Sequence, residues 1–192
     1  MKIKAGELIL ASTSPYRREL LERLRLPFTC IAPNFAELPP GSLPAEDLVR
    51  RNTLGKAASV AAAHSDATVI GSDQLAVCGK SVLGKPGSHA VAVEQLIMLS
   101  GKSVNFLTGL AVICGREERY ACVPFTVNFR KLGVREIEAY VQAEQPYDCA
   151  GSFKSEALGI SLFESMQGDD PTALTGLPLI TLSTWLQPLR SL

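Results

Sequence analysis

In Leu8-Ile9-Leu10-Ala11-Ser12-Thr13-Ser14-Pro15, a short apolar run passes directly into a helix-start signal. The apolar residues, with Glu7 before them, predict a short buried strand over 7–11. Ser14 is a favoured N-cap residue and Pro15 suits the first helical position, so a helix is expected to begin there. A strand that leads straight into a helix is the basic unit of an α/β protein.

Further strand and helix patterns alternate along the rest of the chain, which predicts an α/β fold with a mixed sheet. Two long runs rich in β-branched and aromatic residues flank Gly115-Arg116-Glu117-Glu118 and predict an antiparallel hairpin. The proline-rich loop at 33–44 is too short to separate domains, so we expect one domain over 1–192, with two lobes. The predicted strands are 28–32, 67–70, 104–114, 120–129 and 158–163, and the predicted helices are 45–63, 89–99, 134–143 and a closing helix within 171–189.

The composition excludes several classes of protein. Of the 192 residues, 46% are hydrophobic, and 19 Lys+Arg balance 19 Asp+Glu, which argues against a disordered chain and against a polybasic nucleic-acid binder. The five cysteines include no C-x-x-C pair, so a zinc ribbon and a disulfide framework are both poorly supported. No apolar run is long enough for a signal peptide or a membrane span. We therefore expect a cytoplasmic protein without membrane or nucleic-acid partners.

The start of the first helix is a candidate phosphate site. Free N–H groups and the positive end of the helix dipole attract anions there. Ser12, Thr13 and Ser14 add hydroxyl groups, and Arg17 and Arg18 add positive charge in the first turn, where the dipole disfavours it. The alternative is an ordinary capped helix with solvated arginines. No Walker loop occurs in the chain.

Asp73 is the second candidate. It follows the predicted strand 67–70 within Gly71-Ser72-Asp73-Gln74, and a separate apolar run at 75–78 comes after it. A carboxylate at the end of a strand lies where α/β proteins usually bind ligands, and it can hold a divalent cation or activate a water molecule. The alternative is an aspartate that caps a turn, which is common.

Other charged residues are scattered singly along the chain. Lys85 lies on a constrained loop, Lys56 interrupts the apolar face of a helix, and Glu37 stands in the loop at 33–44. Lys154 and Glu156 form a polar cluster between two predicted strands. Binding a polyphosphate with its metal requires such cations and carboxylates, although a solvated lysine is the simpler interpretation of each lysine.

The segment 10–21 closely resembles the opening motif of the Maf family of nucleotide pyrophosphatases. The resemblance covers essentially the whole chain, in the family's order and spacing. The further matching motifs are Gly55-Lys56-Ala57, Ile70-Gly71-Ser72-Asp73-Gln74, Leu83-Gly84-Lys85-Pro86, Ser100-Gly101, Thr108-Gly109 and Gly176-Leu177-Pro178-Leu179.

The resemblance implies an ITPase-like (Maf/HAM1) fold, with a long mixed β-sheet, flanking helices and a cleft between two lobes. It implies hydrolysis of nucleoside triphosphates between the α and β phosphates, with Mg²⁺ or Mn²⁺ as cofactor. Ala36 replaces the first acid of the family's usual Asp-Glu pair, so the metal ligands depart from the family pattern. The implied roles are proton acceptor for Asp73, metal ligands for Asp73 and Glu37, and phosphate binding for Ser12, Arg17, Lys56 and Lys85.

Three positions resemble the family branch that acts on 7-methyl-GTP. Tyr16, Gln74 and Glu156 stand where the branch acting on dTTP and UTP usually has Arg, Thr and Gln. An aromatic face and a carboxylate both suit a methylated guanine, whose ring carries positive charge. The resemblance implies a house-cleaning hydrolase that removes modified nucleotides, and it suggests a homodimer. The alternatives are a dTTP/UTP pyrophosphatase, or a nucleotide-binding regulator of septum formation with little turnover.

Overall fold

Within the described residues, 7–189 of the computed structural model, seven strands form one mixed sheet and alternate with helices. Residues 1–6 and 190–192 of the predicted domain lie outside this range. The strands are β1 (Leu8–Leu10), β2 (Thr29–Cys30), β3 (Thr68–Cys78), β4 (Ser81–Leu83), β5 (Ser103–Cys114), β6 (Glu117–Phe129) and β7 (Phe163–Gln167). The helices are α1 (Pro15–Glu22), α2 (Ala45–Ala61), α3 (His89–Leu99), α4 (Val134–Glu144), α5 (Pro171–Thr175) and α6 (Leu179–Trp185), with short 3₁₀ helices at Leu158–Leu162 and Gln187–Leu189.

The sheet contains both parallel and antiparallel pairs. The strand order is β2-β1-β3-β5-β6-β7, and β4 pairs with β3. β1 lies parallel to both β2 and β3, whereas β4 and β7 are antiparallel to β3 and β6. This arrangement confirms the predicted α/β fold with a mixed sheet. The neighbouring strands β5 and β6 are joined at Gly115-Arg116, which confirms the predicted hairpin.

The described chain divides into two compact units. The first contains residues 7–74, 108–123 and 170–189, and the second contains 75–107 and 124–169. Strands β3, β5 and β6 each contribute residues to both units. The single domain over 1–192 stays a prediction.

The core of the first unit covers both faces of its strands. Alternate residues of β1 point to opposite faces. Leu8 and Leu10 pack with leucines of α1 and α6. Ile9 packs instead with Ala57 and Val60 of α2. Burial on both faces explains why β1 is an uninterrupted apolar run rather than an alternating one.

The core of the second unit is built around aromatic rings. The ring of Phe153 packs edge-to-face against Phe106, Phe129 and Phe163, with centroids 5.4, 5.5 and 4.8 Å apart. Edge-to-face contacts place the positive rim of one ring on the negative face of the next. Phe153 thereby fixes the segment that begins the predicted polar cluster at Lys154 and Glu156.

The prediction that Asp73 follows a strand is wrong, because β3 continues without a break from Thr68 to Cys78. Gly71, which the sequence places just after the predicted strand, lies within β3 and allows close packing. A Cβ atom at Gly71 would lie 2.7 Å from Ala57 Cβ and 2.8 Å from the carbonyl oxygen of Thr53, both on α2. The glycine therefore lets a helix lie directly against the strand, and Asp73 lies within the strand beside that helix.

The strand predicted at 158–163 is also wrong in most of its length. Leu158–Leu162 forms a 3₁₀ helix, and β7 begins only at Phe163. Gly159 lies so close to the backbone of Lys154 that a side chain would not fit, and Leu158 and Ile160 are about half exposed rather than buried. The apolar run therefore forms a short 3₁₀ helix, and its half-exposed side chains do not form the buried face that a core strand would have.

Candidate functional site

A buried lysine bridges two carboxylates in the first unit. The Lys56 ammonium lies 2.6 Å from Asp73 Oδ1 and 2.7 Å from Glu37 Oε1. Lys56 and Asp73 are only 7% and 5% exposed, whereas the Glu37 side chain is 53% exposed. A buried lysine is rare unless it is paired, and here it is paired with two acids. This confirms that Lys56 interrupts a buried helix face and excludes the interpretation of a solvated lysine.

Three elements bring these groups together. Lys56 projects from α2, which lies against β3 at Gly71, and Asp73 projects from β3. Glu37 comes from the loop between β2 and α2, which confirms the loop predicted at 33–44. The preceding residue, Ala36, is exposed, so this part of the loop supplies one carboxylate.

Asn52 completes the cluster, and the sequence analysis missed it. It lies one helical turn before Lys56 and is 2% exposed. Its Nδ2 donates a hydrogen bond to Asp73 Oδ2 over 3.2 Å, so each oxygen of Asp73 has its own partner. Its Oδ1 is buried and has no hydrogen-bond partner within the described residues. A buried amide oxygen without a donor is costly, so this atom calls for a donor such as a bound water molecule or a ligand.

The start of α1 lies in the same unit. The Ser14 hydroxyl accepts a hydrogen bond from Arg17 N over 3.4 Å, which confirms the predicted N-cap. The buried Ser12 hydroxyl accepts from Ser14 N over 3.2 Å. Arg18 is exposed and pairs with Glu22 on the same helix, as a solvated arginine would.

Arg17 differs from its neighbour Arg18. Its Nε donates to the carbonyl oxygen of Gly176 over 2.9 Å. Burial lowers the pKa of the Arg17 guanidinium, and the negative charges of Asp73 and Glu37 act in the opposite direction. Arg17 is therefore part of the same charge cluster as Lys56, which favours the anion-site interpretation of this helix start.

Gln74 is held in one orientation. Its Nε2 lies 2.8 Å from the carbonyl oxygen of Ala173, 3.0 Å from that of Leu174 and 3.0 Å from Thr108 Oγ1. The reversed amide would place its oxygen against two carbonyl oxygens, which cannot donate. The amide nitrogen of Gln74 therefore donates to carbonyl groups of α5, and the amide oxygen Oε1 takes part in none of these hydrogen bonds.

The remaining sequence candidates occupy different settings. Tyr16 is a partly buried residue of α1. Lys85 is exposed on the segment between β4 and α3 of the second unit. Glu156 is exposed in the same unit and accepts a hydrogen bond from Ser155 Oγ over 3.1 Å. Ser12, Arg17, Glu37, Lys56, Asp73 and Gln74 all belong to the first unit.

Lys154, which the sequence grouped with Glu156, makes structural contacts. Its ammonium donates to the carbonyl oxygen of Glu144 over 3.0 Å and lies 3.4 Å from Glu144 Oε1, at the end of α4. Its backbone N–H donates to the Tyr140 hydroxyl over 3.1 Å, and burial raises the pKa of that tyrosine. Lysine at a helix C-terminus is favoured by the dipole, so Lys154 anchors the turn that carries Glu156.

No group of three or more His, Cys, Asp or Glu suited to a metal ion occurs in the described part of the chain. Asp73 and Glu37 are the acids of the cluster. Mg²⁺ commonly uses one or two carboxylates and takes further oxygens from water and substrate phosphates. The donor set therefore fits a metal that binds together with a polyphosphate. No helix between residues 7 and 189 has the length and apolar character to cross a membrane.

Comparison with known protein families gives a match to the model described as Maf-like protein over residues 7–189. A relative from Pseudomonas aeruginosa, named 7-methyl-GTP pyrophosphatase, is 54% identical over 178 residues, which are 92% of this chain and 93% of the relative. Relatives of the same name from Pseudomonas syringae pv. syringae and Alkalilimnicola ehrlichii are 56% and 54% identical, and each alignment covers at least 91% of both chains.

Solved structures of Ham1 proteins share the fold. The Staphylococcus aureus Ham1 protein superposes with a TM-score of 0.55 at 12% identity, covering 96% of this chain and all of its own. A HAM1 protein from Coxiella burnetii gives 0.51 at 13% identity, with coverage of 94% and 98%. These likenesses confirm the expected Maf/HAM1 type of α/β fold.

Proposed function

The chain belongs to the Maf family, and from that premise we propose that it hydrolyses 7-methyl-GTP to 7-methyl-GMP and diphosphate. The observation that carries this proposal is the buried Lys56 ammonium between Asp73 and Glu37, with Arg17 in the same charge cluster. Relatives more than 50% identical over nine-tenths of the chain bear the name of this activity. The chain is thus proposed to be a hydrolase acting on an acid anhydride.

Phosphate binding follows from the cations of the cluster. A triphosphate oxygen can join Asp73 and Glu37 at the Lys56 ammonium, because this group has three N–H donors and forms charge-assisted hydrogen bonds to phosphate as well as to carboxylate. Arg17 and the hydroxyl of Ser12 lie at the start of α1, where the helix dipole also favours anions. Lys85 is proposed to supply a further phosphate contact. The departing diphosphate is then stabilised by charge that is already in place.

Asp73 is proposed to accept the proton of the attacking water. The water oxygen forms a bond to the α phosphorus, the bond from that phosphorus to the bridging oxygen breaks, and diphosphate leaves. Lys56 and Asn52 hold the two carboxylate oxygens of Asp73, so the base needs little reorientation. Each carboxylate oxygen can accept two hydrogen bonds, so Asp73 keeps these partners and can still accept from the water.

Asp73 and Glu37 are proposed to hold Mg²⁺ or Mn²⁺ together with the phosphates. The metal supplies charge neutralisation of the triphosphate and of the leaving diphosphate. Since Ala36 adds no carboxylate, the metal depends on substrate oxygens more than a site with a full acid pair would. We therefore expect weak metal binding without nucleotide.

Recognition of the base is proposed to rest on Gln74, Glu156 and Tyr16. The amide nitrogen of Gln74 is committed to α5, so this residue offers a ligand a hydrogen-bond acceptor. The carboxylate of Glu156 is also an acceptor. The N1–H and N2–H₂ groups of guanine donate to acceptors, and the ring charge of 7-methylguanine favours a carboxylate and an aromatic face. We place this activity in the cytoplasm and propose a homodimer.

The first test is diphosphate release from 7-methyl-GTP, GTP, dTTP and UTP with Mg²⁺ or Mn²⁺, with the Asp73→Asn protein as the control. The proposal expects the highest kcat/KM for 7-methyl-GTP and formation of its monophosphate. Preference for dTTP and UTP would keep the phosphate site and overturn the base assignment. Binding without turnover of any substrate would overturn the enzyme assignment and favour a nucleotide-binding regulator.

A further inference from the structure

The loop that carries Glu37 is weakly tied to the rest of the molecule. Across the described residues, the backbone of 32–38 forms no hydrogen bond, and the turn that follows is closed by the Ser42 N–H, which donates to the carbonyl oxygen of Pro39. The one ion pair of this segment is Glu37 with Lys56. The Glu37 side chain is half exposed, so burial does not fix its carboxylate either. Another contact must keep the loop close to α2.

Phe35 supplies that contact. Its ring lies against the backbone of Gly55, so close that a Cβ atom at residue 55 would overlap three ring carbons. Gly55 immediately precedes Lys56, and Phe35 is two residues before Glu37. The ring on Gly55 and the carboxylate on Lys56 are therefore neighbouring contacts of one loop with one helix.

We propose that Phe35 is a positioning residue, seated on Gly55, that holds Glu37 against Lys56. Glycine within a helix is unfavourable relative to alanine, so its presence in the middle of α2 needs a reason. The absence of a side chain at residue 55 is what allows the aromatic ring to lie on the helix backbone. The effect on catalysis rests on the proposed function, whereas the effect on the Glu37–Lys56 contact does not.

The experiment is a double-mutant cycle with Gly55→Ala, Phe35→Ala and the double variant. Gly55→Ala removes the seat of the ring, and we expect kcat/KM for 7-methyl-GTP to fall about 10- to 100-fold, as for loss of an outer-shell support. Phe35→Ala gives a similar loss. In the Phe35→Ala protein the added methyl group has no ring to displace, so Gly55→Ala causes no further loss and raises the melting temperature.

A second readout is independent of turnover. The full-length proteins are treated with an acetylating N-hydroxysuccinimide ester, and acetylation of Lys56 is followed by peptide mass spectrometry. Release of Glu37 exposes the ammonium, so we expect several-fold faster labelling in Gly55→Ala and Phe35→Ala. The matched controls are Ala58→Gly, which weakens α2 at an exposed position, and Asn34→Ala, beside Phe35 in the loop. Both should keep wild-type labelling and kcat/KM.

Wild-type labelling of Lys56 in Gly55→Ala and in Phe35→Ala would overturn this inference, and so would losses that multiply in the double variant. If Gly55→Ala does not fold, Phe35→Ala alone decides the labelling outcome. A wild-type protein that hydrolyses no triphosphate would overturn the proposed function, and the labelling would still decide whether Phe35 holds Glu37.

Discussion

Lys56 and Lys154 look alike in the sequence, but their surroundings in the structure differ. Lys154 closes the end of α4, where a helix carbonyl and one carboxylate satisfy it. Lys56 is more deeply buried and lies between two carboxylates from a loop and a strand. The first arrangement stabilises a turn. The second places one cation and two carboxylates at a buried site, and the Lys56 ammonium has a third N–H donor with which it can bind a phosphate oxygen.

The largest expected effect tests the carboxylate side of the Lys56 cluster. Asp73→Asn removes the proposed proton acceptor but keeps the size of the side chain, so diphosphate release should fall on the order of 1000-fold. Circular dichroism should show an intact fold. Near-normal turnover by a folded Asp73→Asn protein would remove Asp73 from the mechanism.

Exchange of each lysine for methionine tests the comparison directly. Lys56→Met leaves a buried carboxylate without its cation, which should reduce stability by about 3 kcal/mol and kcat/KM about 100-fold. Lys154→Met loses a partly exposed helix-end contact, about 1 kcal/mol. Urea unfolding and diphosphate release measure the two effects.

For Lys154→Met we expect kcat to stay within about twofold of wild type, because two backbone hydrogen bonds of the turn do not involve the lysine side chain. The N–H of Leu158 still donates to Glu144 Oε2, and the N–H of residue 154 still donates to the Tyr140 hydroxyl. A loss of turnover equal to that of Lys56→Met would contradict the distinction between the two lysines.

A smaller effect, on substrate preference, is expected in the turn that Lys154 anchors. Glu156→Gln replaces an ionised acceptor with an amide, and the preference for 7-methyl-GTP over UTP should fall about tenfold. Tyr16→Arg should shift preference in the same direction. Competition between the two nucleotides in one reaction measures the ratio. An unchanged ratio in both variants would remove these residues from base recognition.

The smallest effect belongs to an exposed ion pair. Hydrogen bonding from Arg130 lowers the pKa of Glu136 below its usual 4.5. Because the folded pKa is depressed, the pair stabilises the protein above that value, and its contribution disappears as pH falls through the folded pKa. Glu136→Gln should lower the melting temperature slightly at pH 7 and have no effect at low pH. An equal decrease at both pH values would contradict this assignment.

Local signals predicted much of the fold. The N-cap at Ser14, the helix over His89–Leu99 and the hairpin of β5 and β6 follow from residue types and periodicity that act within a few positions. The closing helix after Gly176-Leu177-Pro178 is also confirmed, as α6. These elements need little information from distant parts of the chain.

The failures occurred where distant packing decides. Gly71 looks like a turn residue, and only the approach of α2 shows why β3 continues through it. Asn52 and Phe35 belong to no sequence motif. They matter because of their tertiary contacts, Asn52 with Asp73 and Phe35 with Gly55. A polar residue one turn before Lys56 on a buried helix face was the available signal for Asn52.

The hydrogen bond from Arg17 to Gly176 has a consequence for folding kinetics. It joins residues 159 positions apart, and the Ser72 hydroxyl reaches the same carbonyl across 104 positions. Contacts of such long sequence separation form slowly, because much of the chain must be ordered before they are made. A refolding chain should regain its helical signal before Arg17 has its partner, so that catalytic competence is among the last properties to return.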